Sequence, residues 1–165
     1  MLEQGSRLDT GTIYLIDNDG NHSFMTMSDI TVGKQVVIFG GPAPFSKLDT
    51  QQAREYGQLT KDIMQYVNMV YGIYLQDAFV CHQFQNKIRE ETDSNALVIL
   101  ADGDGLFASH YKLTQDLTGQ GLSMRSVRWA AVINDSVIEY FARDENGEIN
   151  NTSAANILDY LKNKE

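Results

Sequence analysis

Ser46 and Asp49 stand three residues apart, immediately after the turn GGPAPF (40–45) and at the start of a segment that reads as a helix. That spacing is a capping box. A serine hydroxyl accepts from the amide three residues on, and the acidic side chain reaches back to the amide of Ser46. A carboxylate in the first helical turn is also favoured by the helix dipole, by about 0.3–1 kcal/mol. A strand that runs into glycines, prolines and a helix start is a common way to display a reactive group. The chain has a single cysteine, Cys81, which lies 32 residues beyond Asp49 and on a different helix. One cysteine closes no internal disulfide and resolves no sulfenate within the chain. The DNDG (17–20) and DGDG (102–105) stretches lack the later ligands and closing glutamate of a calcium loop, so both read as turns. His22, His82 and His110 show no zinc-ligand spacing, and no metal or other cofactor is expected.

The elements that must position these groups follow from periodicity. GTIYLID (11–17) and NHSFMTM (21–27) read as a hairpin across a DNDG turn, with a short helical turn at 28–30. KQVVIFG (34–40), VYGIYLQ (70–76) and NALVILA (95–101) read as buried strands. Between them, residues 50–69 carry one apolar stripe at helical spacing, and DAFVCHQFQNKI (77–88) opens on an aspartate cap. A short helix is expected at 104–113, then a loop through TGQG. A second hairpin spans 128–144 around an Asn-Asp turn, and a last helix runs over 153–164 with Ser153 as its cap. Strand–helix–strand alternation predicts an α/β fold: parallel strands at the centre of a mixed sheet, hairpin strands at its edges, helices on its faces. Ligands of such sheets sit at the carboxyl ends of the parallel strands, where the 40–49 turn lies.

Length and charge bound the rest. A chain of 165 residues reads as one domain, 1–165, with residues 1–10 expected to be flexible. A net charge of −9 disfavours nucleic acid and anionic membrane surfaces as partners. The arginine pair in SMRSVRW (123–129) makes no nucleic-acid patch. No segment has the roughly 18 apolar residues of a membrane span. With no signal-peptide pattern and a lone cysteine, a cytoplasmic location is expected.

KQVVIFGGPAPFSKLD (34–49) resembles the active-site stretch of the peroxiredoxins, in particular the peroxiredoxin-five subfamily. Its pattern is Pro-x-x-Phe-Ser/Thr-x-x-Cys, which Pro42, Phe45, Ser46 and Asp49 fill in order. Similarity continues through 75–84, 100–113 and 121–141, and covers roughly residues 30–162. The resemblance implies a thioredoxin-like fold of the peroxiredoxin type. It further implies that Arg128, beside Trp129, is the second active-site element, and that Asp49 occupies the place of the peroxidatic cysteine. Pro44 and Lys47 also depart from the subfamily, where Ala and Pro are expected. Three readings of Asp49 stand side by side. It is a helix cap with Arg128 as ion partner, part of a pocket for a small polar ligand, or an engineered replacement in an active peroxidase. A carboxylate is a poor nucleophile toward a peroxide oxygen and has no sulfenic state, so thiol peroxidase activity is expected to be absent. The alternative is an enzyme: either a thiol-dependent peroxidase acting through Cys81, or acid–base work by Asp49 and Arg128. The resemblance also implies a homodimer through loops 42–47, 77–81 and 113–124, where apolar Pro44, Phe45, Phe79 and Leu117 lie. A redox protein is a further candidate partner.

Overall fold

The structure, a computed structural model, describes residues 2–164. Nine strands and five helices follow one another as β1 (Thr12–Ile16), β2 (His22–Thr26), α1 (Met27–Thr31), β3 (Gln35–Gly40), α2 (Lys47–Ile63), β4 (Met69–Tyr74), α3 (Ala78–Thr92), β5 (Val98–Ala101), α4 (Leu106–His110), β6 (Thr114–Asp116), β7 (Met124–Ser126), β8 (Arg128–Asn134), β9 (Val137–Asp144) and α5 (Ala154–Asn163). Seven strands form one mixed sheet in the order β2-β1-β5-β4-β3-β8-β9, and β6 and β7 form a separate two-stranded ribbon. The centre is parallel, β3 beside β4 and β4 beside β5. Both edges are antiparallel hairpins, β1–β2 and β8–β9.

Successive side chains of a strand point to opposite faces, and β3 uses both. Val37 and Phe39 join α2, α3 and α5 in one core through Ala53, Tyr56, Phe84 and Ile157. Val36 and Ile38 join α1, α4 and the N-terminal segment in the other through Leu8, Ile30, Phe107 and Trp129. The Phe39 and Tyr56 rings stack at 4.0 Å in nearly parallel planes, which seats the middle of α2 on the sheet. Each such fully buried side chain contributes about 1.5–3 kcal/mol.

Four local readings shift. The helix expected to run to residue 69 ends at Ile63, because Asn68 is taken by the sheet: its amide donates to Gln35 O and its side-chain oxygen accepts from Gln35 N. Val67 and Val70 are still buried, but as chain entering β4. The expected loop after α4 contains the β6–β7 ribbon, whose three-residue strands are too short for a period to be visible in sequence. The second hairpin turns on Asp135 and Ser136, both at positive φ, one position later than the Asn-Asp reading. The stretch for which flexibility is expected is tied down from residue 5: Gly5 N donates to Ile138 O, Ile138 N to Ser6 O, and Leu8 N to Ser136 O, with Leu2 and Leu8 buried. Met1 lies outside the described residues.

Candidate functional site

β3 ends at Gly40, at the carboxyl end of the parallel strands, and the next residues turn back to start α2. Gly41 is required there. A β carbon on it would fall on Asp49 Oδ1 and come within 3.1 Å of Arg128 Nη1. Phe45 takes a positive φ of 71°, which bends the chain so that Ser46 becomes the N-cap of α2. The Phe45 ring is half exposed and leans on Phe84 at 5.1 Å. Arg125 holds the turn from the other side: its Nη1 donates to Pro42 O at 3.0 Å and its Nε to Leu122 O at 2.7 Å.

Inside this frame Asp49 is 1% exposed and Arg128 is 1% exposed. Asp49 Oδ2 accepts from the Ala43 amide at 3.0 Å and from the Ser46 hydroxyl at 2.9 Å, while its own amide donates to Ser46 Oγ at 3.2 Å. The capping box is therefore only half as expected. The carboxylate reaches past the Ser46 amide, which donates to Ala43 O, and takes the Ala43 amide instead. Asp49 Oδ1 accepts from Arg128 Nη1 at 2.9 Å. The same Nη1 donates to Gln52 Oε1 at 2.6 Å, and Nη2 donates to Asn146 O at 3.4 Å. One guanidinium nitrogen thus serves two acceptors, and Arg128 meets its ion partner Asp49 through a single hydrogen bond. Arg128 Nε has no partner among the described residues, nor do the buried Tyr74 hydroxyl and Thr50 Oγ1. The Tyr74 hydroxyl is pushed well above its ordinary range by burial and by the charge of Asp49.

The four residues singled out from sequence, Pro42, Ser46, Asp49 and Arg128, are brought together: the Pro42 carbonyl by Arg125, the other three by direct bonds. Several members were missed. Gln52 lies one helical turn past Asp49 on the same face, a spacing that sequence reasoning had at hand. Its Nε2 continues the network to Thr152 Oγ1 at 2.9 Å, and Thr152 in turn donates to Asp144. Asn146 is fixed by a reciprocal amide pair with Gln115 on β6. Nothing in the sequence marks that contact, because it joins β6 to the segment after β9, 31 positions away.

Cys81 sits in the α3 face of the core, 1% exposed, with Sγ 3.9 Å from Gln76 O. Burial, with the charges of Asp77 and Asp102, pushes its thiol up to about 12, so at neutral pH it is neither ionised nor accessible. The two Asp-Gly stretches serve as turns. Asp17 accepts from the amides of Asp19 and Asn21, and Asp102 from those of Phe107 and Ala108 at the start of α4.

No family model matches the chain. Among curated proteins it is similar to a putative peroxiredoxin from Malassezia furfur, 33% identical over 131 residues, which span 78% of this chain and 76% of that protein. It is also similar to the chloroplastic peroxiredoxin-2E of Arabidopsis thaliana, 27% identical over 168 residues, spanning 97% of this chain and 69% of the relative. Among solved structures, reduced Prx3 from Vibrio vulnificus in complex with H2O2 superposes with a TM-score of 0.87 at 25% identity, covering 98% of this chain and 99% of that one.

Proposed function

This chain belongs to the peroxiredoxin family, and from that premise we propose that it is a peroxiredoxin-five-like member in which Asp49 fills the peroxidatic cysteine position and thiol peroxidase activity is lost. One observation carries the reading: the buried carboxylate of Asp49 is held by the Ala43 amide, the Ser46 hydroxyl and Arg128. In the thiol reaction a thiolate attacks one peroxide oxygen, the O–O bond breaks, and sulfenic acid and hydroxide result. A carboxylate offers no oxidisable atom to that exchange. Arg128 and Ser46 here neutralise and bind a resident anion rather than an entering substrate. The enzyme reading through Cys81 meets a buried, protonated thiol and gains no support.

Function then rests on binding, with Asp49 and Arg128 as a structural pair that fixes the turn. Phe45 in the turn before α2, Phe79 in the first turn of α3 and Met124 at the start of β7 stand exposed, 48%, 63% and 49%, which supports a homodimer or a redox-protein partner docking over them. Pro44 and Leu117 are half-buried and contribute less than the sequence implied.

The test is peroxide consumption with dithiothreitol or thioredoxin as reductant, in the parent chain, Cys81→Ser and Asp49→Cys. The expected outcome is no turnover in the first two and turnover in Asp49→Cys. Turnover in the parent chain that disappears in Cys81→Ser overturns the proposal.

A further inference from the structure

Asn146 precedes Gly147 in the turn after β9, and the two are the chain's single Asn-Gly pair. Such a pair carries a reaction of its own. The amide nitrogen of the glycine, once deprotonated, attacks the side-chain amide carbon of the asparagine. A new N–C bond forms, the bond from that carbon to Nδ2 breaks, and ammonia leaves behind a five-membered imide. Water then opens the imide at either carbonyl, to aspartate or to isoaspartate. No atom is oxidised or reduced. Glycine is the most permissive follower, because it has no β carbon to crowd the approach and the widest backbone freedom. Asparagine counts among the thermolabile residues.

The fold leaves the nucleophile open and restrains the electrophile. Gly147 is exposed, a β carbon placed on it would meet nothing within 4 Å, and its amide donates to no described residue. Asn146 is half-buried. Its Nδ2 donates to Gln115 Oε1 at 2.9 Å, and its Oδ1 accepts from Gln115 Nε2 at 2.7 Å. Both ends of the group that must swing toward Gly147 are thus tied to β6. Gln115 is itself anchored, since its Nε2 also donates to Ser126 O on β7 at 2.9 Å. Glu148 N donates to Glu145 O at 3.0 Å, which closes the turn around the two reacting residues.

The product bears on the buried pair through the backbone of Asn146, whose carbonyl accepts from Arg128 Nη2 at 3.4 Å. Aspartate at this position has no donor for Gln115 Oε1 and sets oxygen against oxygen. It also adds a negative charge to the residue that already meets the guanidinium. Isoaspartate routes the main chain through the former side chain and lengthens it by a carbon, which moves that carbonyl.

We propose that Asn146 is a site of spontaneous deamidation, latched by its amide pair with Gln115, and that its conversion alters the surroundings of Arg128. The inference does not depend on whether Asp49 has ended peroxidase activity.

The experiment is a timed incubation of the full chain at mildly alkaline pH, with peptide mapping by mass spectrometry to follow each asparagine. Slow conversion of Asn146 is expected in the parent chain. Gln115→Met, of similar length but without the amide, is expected to speed that conversion several-fold and to leave the other asparagines at their parent rates. Gly147→Ala has room for its methyl group, so the fold is retained. It is expected to slow conversion of Asn146 several-fold, alone and combined with Gln115→Met. In the converted chain, isolated by anion exchange, the NMR signal of the Arg128 side-chain Nε–H is expected to move. An unchanged rate in Gln115→Met, or an equal rise at every asparagine, overturns the latch. An unchanged rate in Gly147→Ala, or an Arg128 signal identical before and after conversion, overturns the rest.

Discussion

Asp49 and Arg128 are each 1% exposed, and an ion pair so placed is worth little as a net gain but much as a pair to break. Removing one partner leaves the other charged and dry, at a cost of about 3–5 kcal/mol. Arg128→Met is therefore expected to lower the unfolding free energy by that amount in a urea titration. Asp49→Leu/Arg128→Met is expected to lose clearly less than the two single changes summed, because neither charge is left stranded. Gly41→Ala belongs with these: its methyl group collides with the Asp49 carboxylate itself, so it is expected to separate the pair and destabilise to a similar degree. At this scale the sequence was readable where a motif had fixed spacing. Ser46, Asp49 and Arg128 stood out through a familiar pattern. Gln52 and Arg125 did not, because what identifies them is which atom they touch. Gln52 takes the second share of Arg128 Nη1, and Arg125 takes the Pro42 carbonyl.

At the level of elements, the start of α2 is over-determined. Ser46 both accepts from the Asp49 amide and donates to its carboxylate. Losing a serine cap costs about 0.5–2 kcal/mol, and Ser46→Ala is expected at the upper end of that range because a bond to a buried charge goes with it. Ser46→Thr, which keeps the hydroxyl, should retain most of the stability. Arg125→Ala frees the Pro42 and Leu122 carbonyls, and the expected result is faster hydrogen exchange of the Ala43 amide with little change in the midpoint of unfolding. Strands β3, β4 and β5 were legible from their β-branched runs and helices α3 and α5 from their caps, Asp77 and Ser153, both of which accept the predicted amides. The end of α2 and the β6–β7 ribbon were not. Asn68 is claimed by a strand 33 positions earlier in the chain, and three-residue strands carry no period.

Across the whole molecule, the network that begins at Arg128 ends at Asp144, on the last strand. Burial alone would raise this carboxyl. The Thr152 amide and hydroxyl and the amides of Asn150 and Asn151 overcome that and hold it below the ordinary carboxylate range. A carboxyl depressed in the folded state adds stability that is present above its unfolded value, about 3.9, and that is lost as pH falls through its folded value. Thermal unfolding is thus expected to drop below about pH 4 in the parent chain and to drop less in Asp144→Asn, which starts from a lower plateau. The mixed sheet and its two cores were legible because they follow from the order of elements. The long network was not, since Gln52 and Thr152 are joined across 100 positions.

Phe45, at its left-handed φ, brings one more consequence. The bend it imposes is secured by oxygen and nitrogen atoms, none of which changes valence when an oxidant arrives. In a chain whose helix starts on sulfur, every encounter with peroxide rewrites the charge and size of that atom. Here the carboxylate, hydroxyl and amide that hold the turn have no such state to pass through.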